Sequence, residues 1–274
     1  MSTIGNSIYK FPARKIGKKP ELSPPTKLKR KKAPSSERVF RYWQEQAYKK
    51  LYNSKLFLVK AFCGSGKTTL SIAMCIYDAI KNRRKQIFIV PQSHIGDGFA
   101  VSGGFYIPGI GKVEISSANN YCENSSSKVE MLVNFLIGEL KFKNSELVKE
   151  DELYIDGSEC MVICTHQAFN AAMKKIIADG NFDLSCKNAS FYIDEAHHVK
   201  GGESNKEKES ELEKDYNQLG RILYGIVDKA NENNSRVGLT TATFYRGDQG
   251  IIVKNEYLSK FDRYELDFLS HFET

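Results

Sequence analysis

From about Val39 onward, short unbroken runs of apolar residues alternate with stretches in which apolar residues recur every third or fourth position. Phe57 to Ala61, Gln86 to Val90, Met161 to Cys164, Ser190 to Ile193 and Arg236 to Thr240 read as strands. Their apolar runs are continuous rather than alternating, as in a strand covered on both faces. Lys67 to Lys81 reads as a helix, and so does Ser210 to Ala230, where Leu212, Tyr216, Leu219, Ile222, Leu223 and Ile226 share one face. Five buried strands with intervening helices predict an α/β fold: a doubly wound parallel sheet with flanking helices, spanning residues 38–274. Two stretches break the rhythm and read as surface excursions: the Gly-, Ser- and Asn-rich residues 95–127, and the charged run Gly201 to Lys214.

Length and composition agree with one such domain. The chain has 274 residues, 41% hydrophobic and 27% charged, which is enough to bury a sizeable core and too apolar for a wholly disordered chain. Its longest apolar runs, such as Leu56 to Val59, fall far below the ~18 residues of a membrane-spanning helix. The first residues lack the apolar stretch of a secretory signal, so a soluble, intracellular protein without a membrane partner is expected. Six scattered cysteines form no C-x-x-C pair, which predicts reduced thiols rather than a zinc framework or disulfides.

Charge divides the chain. Residues 1–40 hold 11 Lys or Arg against two acidic residues, a net of +9, which leaves 29 against 31 in the remaining 234. Five of the seven prolines and the run Lys27-Leu28-Lys29-Arg30-Lys31-Lys32 lie in this basic segment. Residues 1–37 are therefore expected to form a disordered basic tail. Such an arm binds nucleic-acid phosphate, serves as a nuclear address or solubilises the chain, and its composition permits all three.

The strongest chemical signal is Ala61-Phe62-Cys63-Gly64-Ser65-Gly66-Lys67-Thr68-Thr69, between a predicted strand and a predicted helix. Glycines let successive backbone N–H groups curl round phosphates, and a helix N-terminus adds positive potential. In this pattern Lys67 reaches the β and γ phosphates and the Thr68 hydroxyl holds Mg²⁺. Cys63 to Thr69 are the candidate nucleotide-binding residues, although Ala61 stands where the strict pattern begins with glycine. The second signal is Ser190 to His198, an apolar strand ending in Asp194 and Glu195. A nucleoside triphosphatase uses one carboxylate on the metal and another to polarise water, which assigns Asp194 to Mg²⁺ and Glu195 to the water. Lys67, Asp194 and Glu195 are the candidate catalytic set, with ATP and Mg²⁺ as cofactors.

Taken in order, GSGKT, IDEAHH and Thr240-Thr241-Ala242-Thr243 resemble the first RecA-like motor domain of superfamily-two helicases and translocases of the DEAD/DEAH-box type, similar to type III restriction enzymes. The resemblance covers roughly residues 38–250. It implies DNA or RNA as partner and an ATP hydrolase as activity. Phe40-Arg41-Tyr42-Trp43-Gln44 resembles the adenine-recognition motif, in which the amide of Gln44 would pair with the base. Val90-Pro91-Gln92-Ser93 resembles the first nucleic-acid motif, with Gln92 where the family has threonine, and Cys164-Thr165-His166-Gln167-Ala168 resembles the second. Pro91 and Thr165 are thus the candidate nucleic-acid contacts. Thr241 and Thr243 match the motif whose hydroxyls bond back toward His197, coupling turnover to strand movement.

In this family a second RecA-like domain supplies arginine fingers, and the 31 residues after Thr243 are too few to build one. Gln218-Leu219-Gly220-Arg221 echoes the finger motif inside a predicted amphipathic helix and reads as coincidence. A second polypeptide is then the expected source of the missing half. The alternative is a truncated or regulatory module that binds nucleotide or nucleic acid without efficient turnover.

Overall fold

The computed structural model describes residues 40–93, 96, 103–123, 125–140, 147–149, 152–199, 211–243 and 253–266. The basic tail, most of the charged run after Val199 and Arg246 lie outside the described residues.

Among the described residues, seven parallel strands form the main sheet in the order β11-β1-β10-β9-β2-β8-β5. These are β1 (Leu56–Lys60), β2 (Lys85–Val90), β5 (Asn119–Tyr121), β8 (Met161–Thr165), β9 (Ala189–Ile193), β10 (Arg236–Thr241) and β11 (Asp262–Glu265). The unbroken apolar runs have a direct cause, because successive side chains of one strand enter two different cores. In β1, Leu58 joins one core while Phe57 and Val59 join the other; in β2, Ile87 and Ile89 oppose Phe88 and Val90. Each fully buried side chain of this size stabilises the fold by about 1.5–3 kcal/mol, less the unfolded chain's own burial.

One core lies under helices α3 (Ser126–Ile137), α5 (His166–Ala178), α6 (Phe182–Cys186) and α7 (Glu211–Asp228). The other lies under α1 (Tyr42–Leu51) and α2 (Lys67–Asn82). Gly238 sits in β10 because a Cβ there would meet the Phe57 ring at 2.2 Å, a clash between strand and neighbouring aromatic that only glycine avoids. The short helices α4 (Gly157–Cys160) and α8 (Asn255–Leu258) lead into β8 and toward β11.

The architecture differs from the sequence expectation in the stretch 95–127, which is not merely a surface excursion. It contributes β3 (Gly103–Ile107) and β4 (Gly111–Ile115) to a second sheet, ordered β3-β4-β7-β6, with β6 (Leu147–Lys149) and β7 (Glu152–Ile155). The hairpin turns at Gly109 and Gly111, whose φ values of 79° and 102° favour glycine. Phe105, Ile107, Val113, Ile115 and Ile155 from this sheet extend the core under α1 and α2. All six cysteines are free. No helix among the described residues is long and apolar enough to cross a membrane.

Candidate functional site

Every sequence-predicted site residue on a strand lies at the carboxyl end of the main sheet, where β1 runs into Ala61, β2 into Pro91, β8 ends in Thr165, β9 leads to Asp194 and β10 ends in Thr241. In open parallel sheets this edge is where loops and helix N-termini converge on ligands.

The loop from Ala61 to Gly66 joins β1 to α2. Gly64 and Gly66 take φ values of 78° and 98°, which L side chains rarely adopt. Three side chains from the start of α1 hold the outer wall of the loop. Arg41 Nη1 donates to the carbonyls of Ser65 at 2.9 Å and Gly64 at 3.4 Å, Trp43 Nε1 donates to Ser65 at 3.2 Å, and Gln44 Nε2 donates to Gly66 at 2.8 Å. In a trans peptide the N–H points opposite to the preceding carbonyl. Pulling the Ser65 and Gly66 carbonyls toward α1 therefore turns the Gly66 and Lys67 N–H groups to the other side of the loop. The Lys67 side chain is buried and its ammonium donates to Ala61 O at 2.9 Å and Phe62 O at 3.4 Å.

Gln44 does not stand where the adenine expectation would leave it free. Its Oε1 accepts the Arg41 N–H at 2.7 Å while its Nε2 is on Gly66, so both ends of the amide are engaged within the protein, and the side chain is 2% exposed. Cys63 is exposed in the same loop, whereas the other five cysteines are buried. Thr68 and Thr69 open α2, with Thr69 N–H donating to Gly66 O at 3.1 Å.

The carboxylates face this loop. Asp194 is 9% exposed; its N–H donates to Ile89 O at 2.9 Å, and its Oδ1 accepts from Thr240 Oγ1 at 2.7 Å. Burial raises its carboxyl above the usual range, partly opposed by the Thr240 bond. Glu195 adopts φ 49° and ψ 52°, a left-handed conformation for a non-glycine residue that costs on the order of 1–3 kcal/mol. That turn sends its side chain between two partners, with Oε1 4.0 Å from Lys67 Nζ and Oε2 3.1 Å from His197 Nδ1. His197 Nδ1 is also 3.4 Å from Thr241 Oγ1, which in turn donates to Thr243 O at 2.7 Å and accepts the Thr243 N–H at 3.2 Å. Lys67, Asp194, Glu195, His197, Thr241 and Thr243 are thus brought together.

Pro91 and Thr165 lie side by side, since Val90 and Thr165 are paired in register between β2 and β8. Thr165 caps α5, its hydroxyl accepting the Ala168 N–H at 3.1 Å. Arg221 is exposed on α7, in the ordinary solvent face of an amphipathic helix.

The sequence reading missed Arg41 and Trp43 as holders of the loop, Thr240 as the partner of Asp194, and two histidines. Thr240 and Asp194 become neighbours through the β9–β10 register, in which Leu239 pairs with Ile193, so spacing alone gave no sign of that contact. His166, 3% exposed, packs edge-on to His198 at 6.3 Å between ring centroids, and His198 lies 4.1 Å from His197. Burial pushes His166 down to about 3, with His198 and His197 adding to the depression.

The family model described as Type III restriction enzyme, res subunit matches residues 37–246. That is most of the chain, which belongs to this family. No curated protein matches the sequence. Among solved structures, a nuclease-deletion mutant of the Type ISP restriction-modification enzyme LlaGI, in complex with a DNA substrate mimic, aligns over 86% of this chain and 20% of its own, with 10% identity and a TM-score of 0.47. The Pyrococcus furiosus Hef helicase domain aligns over 82% and 38%, with 14% identity and a TM-score of 0.44. The DUF1998 helicase MrfA aligns over 85% and 30%, with 12% identity and a TM-score of 0.44. The chain spans well under half the length of each.

Proposed function

We propose that residues 38–274 form the ATP-binding domain of a DEAH-type helicase or translocase, with Lys67, Asp194 and Glu195 as its hydrolytic set and DNA or RNA as its track. The observation that supports this most is the convergence of Glu195 between Lys67 and His197, with His197 in turn on the Thr241 hydroxyl.

The residues fit a magnesium nucleotide. Ser65 Oγ is buried with no hydrogen-bond partner among the described residues, and a Cβ built on Gly64 would have nothing within 4 Å. Thr68 and Asp194 offer the hard oxygen ligands magnesium prefers, and one or two carboxylates suffice because the ion keeps waters and phosphate oxygens. Magnesium, when bound, would neutralise phosphate charge. The loop N–H groups and Lys67 would hold the phosphates, giving Lys67 an anionic partner in place of two carbonyls. Asp194 must be ionised to serve, and Thr240 stabilises that form by donating to Oδ1. Glu195 would accept the proton of the attacking water, with His197 Nδ1 lying 3.1 Å from its Oε2.

In the resembled family a second RecA-like domain carries the arginine fingers, an effect of ~10³–10⁵ in turnover for related enzymes. ATP binding and hydrolysis, measured with and without single-stranded DNA or RNA, test the reading. Magnesium-dependent hydrolysis supports it; failure to bind ATP refutes it.

A further inference from the structure

Beyond the hydrolytic set, a line of histidines leaves the carboxylate turn and ends on a different strand. Glu195 Oε2 lies 3.1 Å from His197, the His197 ring lies 4.1 Å from that of His198 at 43°, and His198 meets His166 at 6.3 Å and 68°, an edge contact. Aromatic centroids between 4.5 and 7 Å are in packing contact, and the closer pair is tighter still. His197 and His198 sit on the short 3-10 turn Ala196–His198, anchored by His198 N–H on Glu195 O at 3.0 Å and Val199 N–H on Ala196 O at 2.9 Å. His166 is the first residue of α5, directly after the cap Thr165, and is buried. The line therefore runs from the water-facing carboxylate to the N-terminal turn of α5, across the end of β2, which separates β9 from β8 in the sheet.

Glu195 is held in a left-handed conformation, and its two oxygens face Lys67 and His197. A phosphate on Lys67 would alter the 4.0 Å contact to Glu195, and the 3-10 turn joins Glu195 directly to His198. The far end is Thr165, whose neighbouring N–H groups open α5 beside Pro91.

We propose that His198 and His166 are positioning residues that couple nucleotide occupancy at Lys67 and Glu195 to the affinity of the Thr165 turn for nucleic-acid phosphate. The proposal rests on the function proposed above, and its failure is separable from that of the function. Neither histidine needs to touch nucleotide or nucleic acid; the rings act as spacers between two loops.

The test uses the full chain, a fluorescent single-stranded oligonucleotide and a non-hydrolysable ATP analogue with magnesium. Anisotropy gives the oligonucleotide affinity with and without saturating analogue, and coupling energies of this kind typically appear as roughly 5- to 150-fold changes. His198→Ala is expected to bind each ligand alone within about twofold of the wild type and to lose most of the change that one ligand makes to the other, in both directions, as linkage requires. His198→Phe, which keeps a ring of similar breadth, is expected to restore it. His166→Gln gives a second reading at the other end, with its melting curve reporting that the fold is intact. Wild-type coupling in His198→Ala overturns the inference. So do a wild type that binds both ligands independently, loss of nucleotide binding in His198→Ala, and failure of His198→Phe to restore coupling. A wild type that binds no nucleotide overturns the function itself.

Discussion

Replacing Gln44 with alanine distinguishes two roles for one buried amide. As an adenine reader, Gln44 would affect ATP and leave other triphosphates alone. As a clamp on the phosphate loop, it would affect every ligand with the same phosphates. The structure supports the clamp, with bonds of 2.8 Å to Gly66 O and 2.7 Å from the Arg41 N–H. Each such bond contributes about 0.5–1.5 kcal/mol net, so Gln44→Ala should cost about 1–3 kcal/mol of stability. For a domain of this length 2 kcal/mol lowers the melting temperature by about 4–8 °C. Arg41 and Trp43 still hold the Ser65 carbonyl, so the loop keeps its path but gains freedom at Gly66. If ~1 kcal/mol of the loss falls on ordering the loop around phosphate, affinity drops roughly fivefold. Titrating ATP, GTP and inorganic tripolyphosphate against wild type and variant, by calorimetry, should show the three weakening by the same factor. A variant that loses ATP while holding GTP and tripolyphosphate at wild-type affinity would mean the amide leaves Gly66 to read the base, and the clamp argument would be wrong.

Other outcomes follow from the same geometry. Lys67→Ala should abolish nucleotide binding, whereas Glu195→Gln should keep it and remove hydrolysis; equal loss of affinity in both would contradict the division of roles. Cys63 is the exposed cysteine of the six, so N-ethylmaleimide should label it first in peptide mass spectrometry, and magnesium-ATP should slow that labelling. Labelling unaffected by ATP would place the nucleotide away from this loop. Asp78, fully buried, accepts from Arg84 at 2.8 Å and lies 3.6 Å from Arg236. Asp78→Asn leaves buried guanidinium charge uncompensated and should cost about 3–5 kcal/mol in urea unfolding, with nucleotide affinity of the folded protein unchanged. Deleting residues 1–36 should flatten the salt dependence of DNA binding, since each phosphate neutralised contributes ~0.9 to the log–log slope; an unchanged slope removes the tail from the interface.

The parts of the fold that were legible in the sequence are those whose burial is symmetric. Strands such as β2, buried along its whole length, leave continuous apolar runs that have no other ready explanation. The edge strands β5 and β11 were illegible because Asn119-Asn120-Tyr121 and Asp262-Arg263-Tyr264-Glu265 are short and mostly polar, the first half-buried and the second largely open to solvent, so only pairing with a neighbour makes them strands. The second sheet escaped for a related reason, since its glycines at 103, 104, 109 and 111 read as loop while Phe105 and Val113 supply too few apolar positions to reveal a period. In the site, the phosphate loop and carboxylate pair were readable because each is contiguous in the chain. The Arg41 and Trp43 clamps, and the meeting of His166 with His198, depend on which strands become neighbours, and spacing alone does not contain that information.

The two edges of the main sheet treat polar groups in opposite ways, and the contrast bears on where the chemistry sits. At the amino edge, Asp78, Arg84, Gln86, Ser190 and Arg236 form a buried cluster in which charge meets charge: Arg84 bonds Asp78 and the Asn234 carbonyl, while Arg236 reaches Leu51 O and lies 4.9 Å over the Phe57 ring. At the carboxyl edge, Lys67 donates to two carbonyls and lies 4.0 Å from Glu195, Asp194 is buried with its carboxyl pushed up, and Glu195 holds a strained backbone. None of these features helps an empty domain to fold. Each becomes favourable when a polyanion with its counter-ion enters, because phosphate meets the ammonium and a cation meets the carboxylate. The stability that tolerates this arrangement comes from elsewhere, from cores on both faces of the sheet and from the charge cluster at its far edge. A cluster of buried ions alone would say little, since buried salt bridges are common structural features. What sets the carboxyl edge apart is that the left-handed Gly64 and Gly66, the buried Ser65 hydroxyl without a partner among the described residues, and the Lys67 ammonium all lie in one loop, the grouping a phosphate would use.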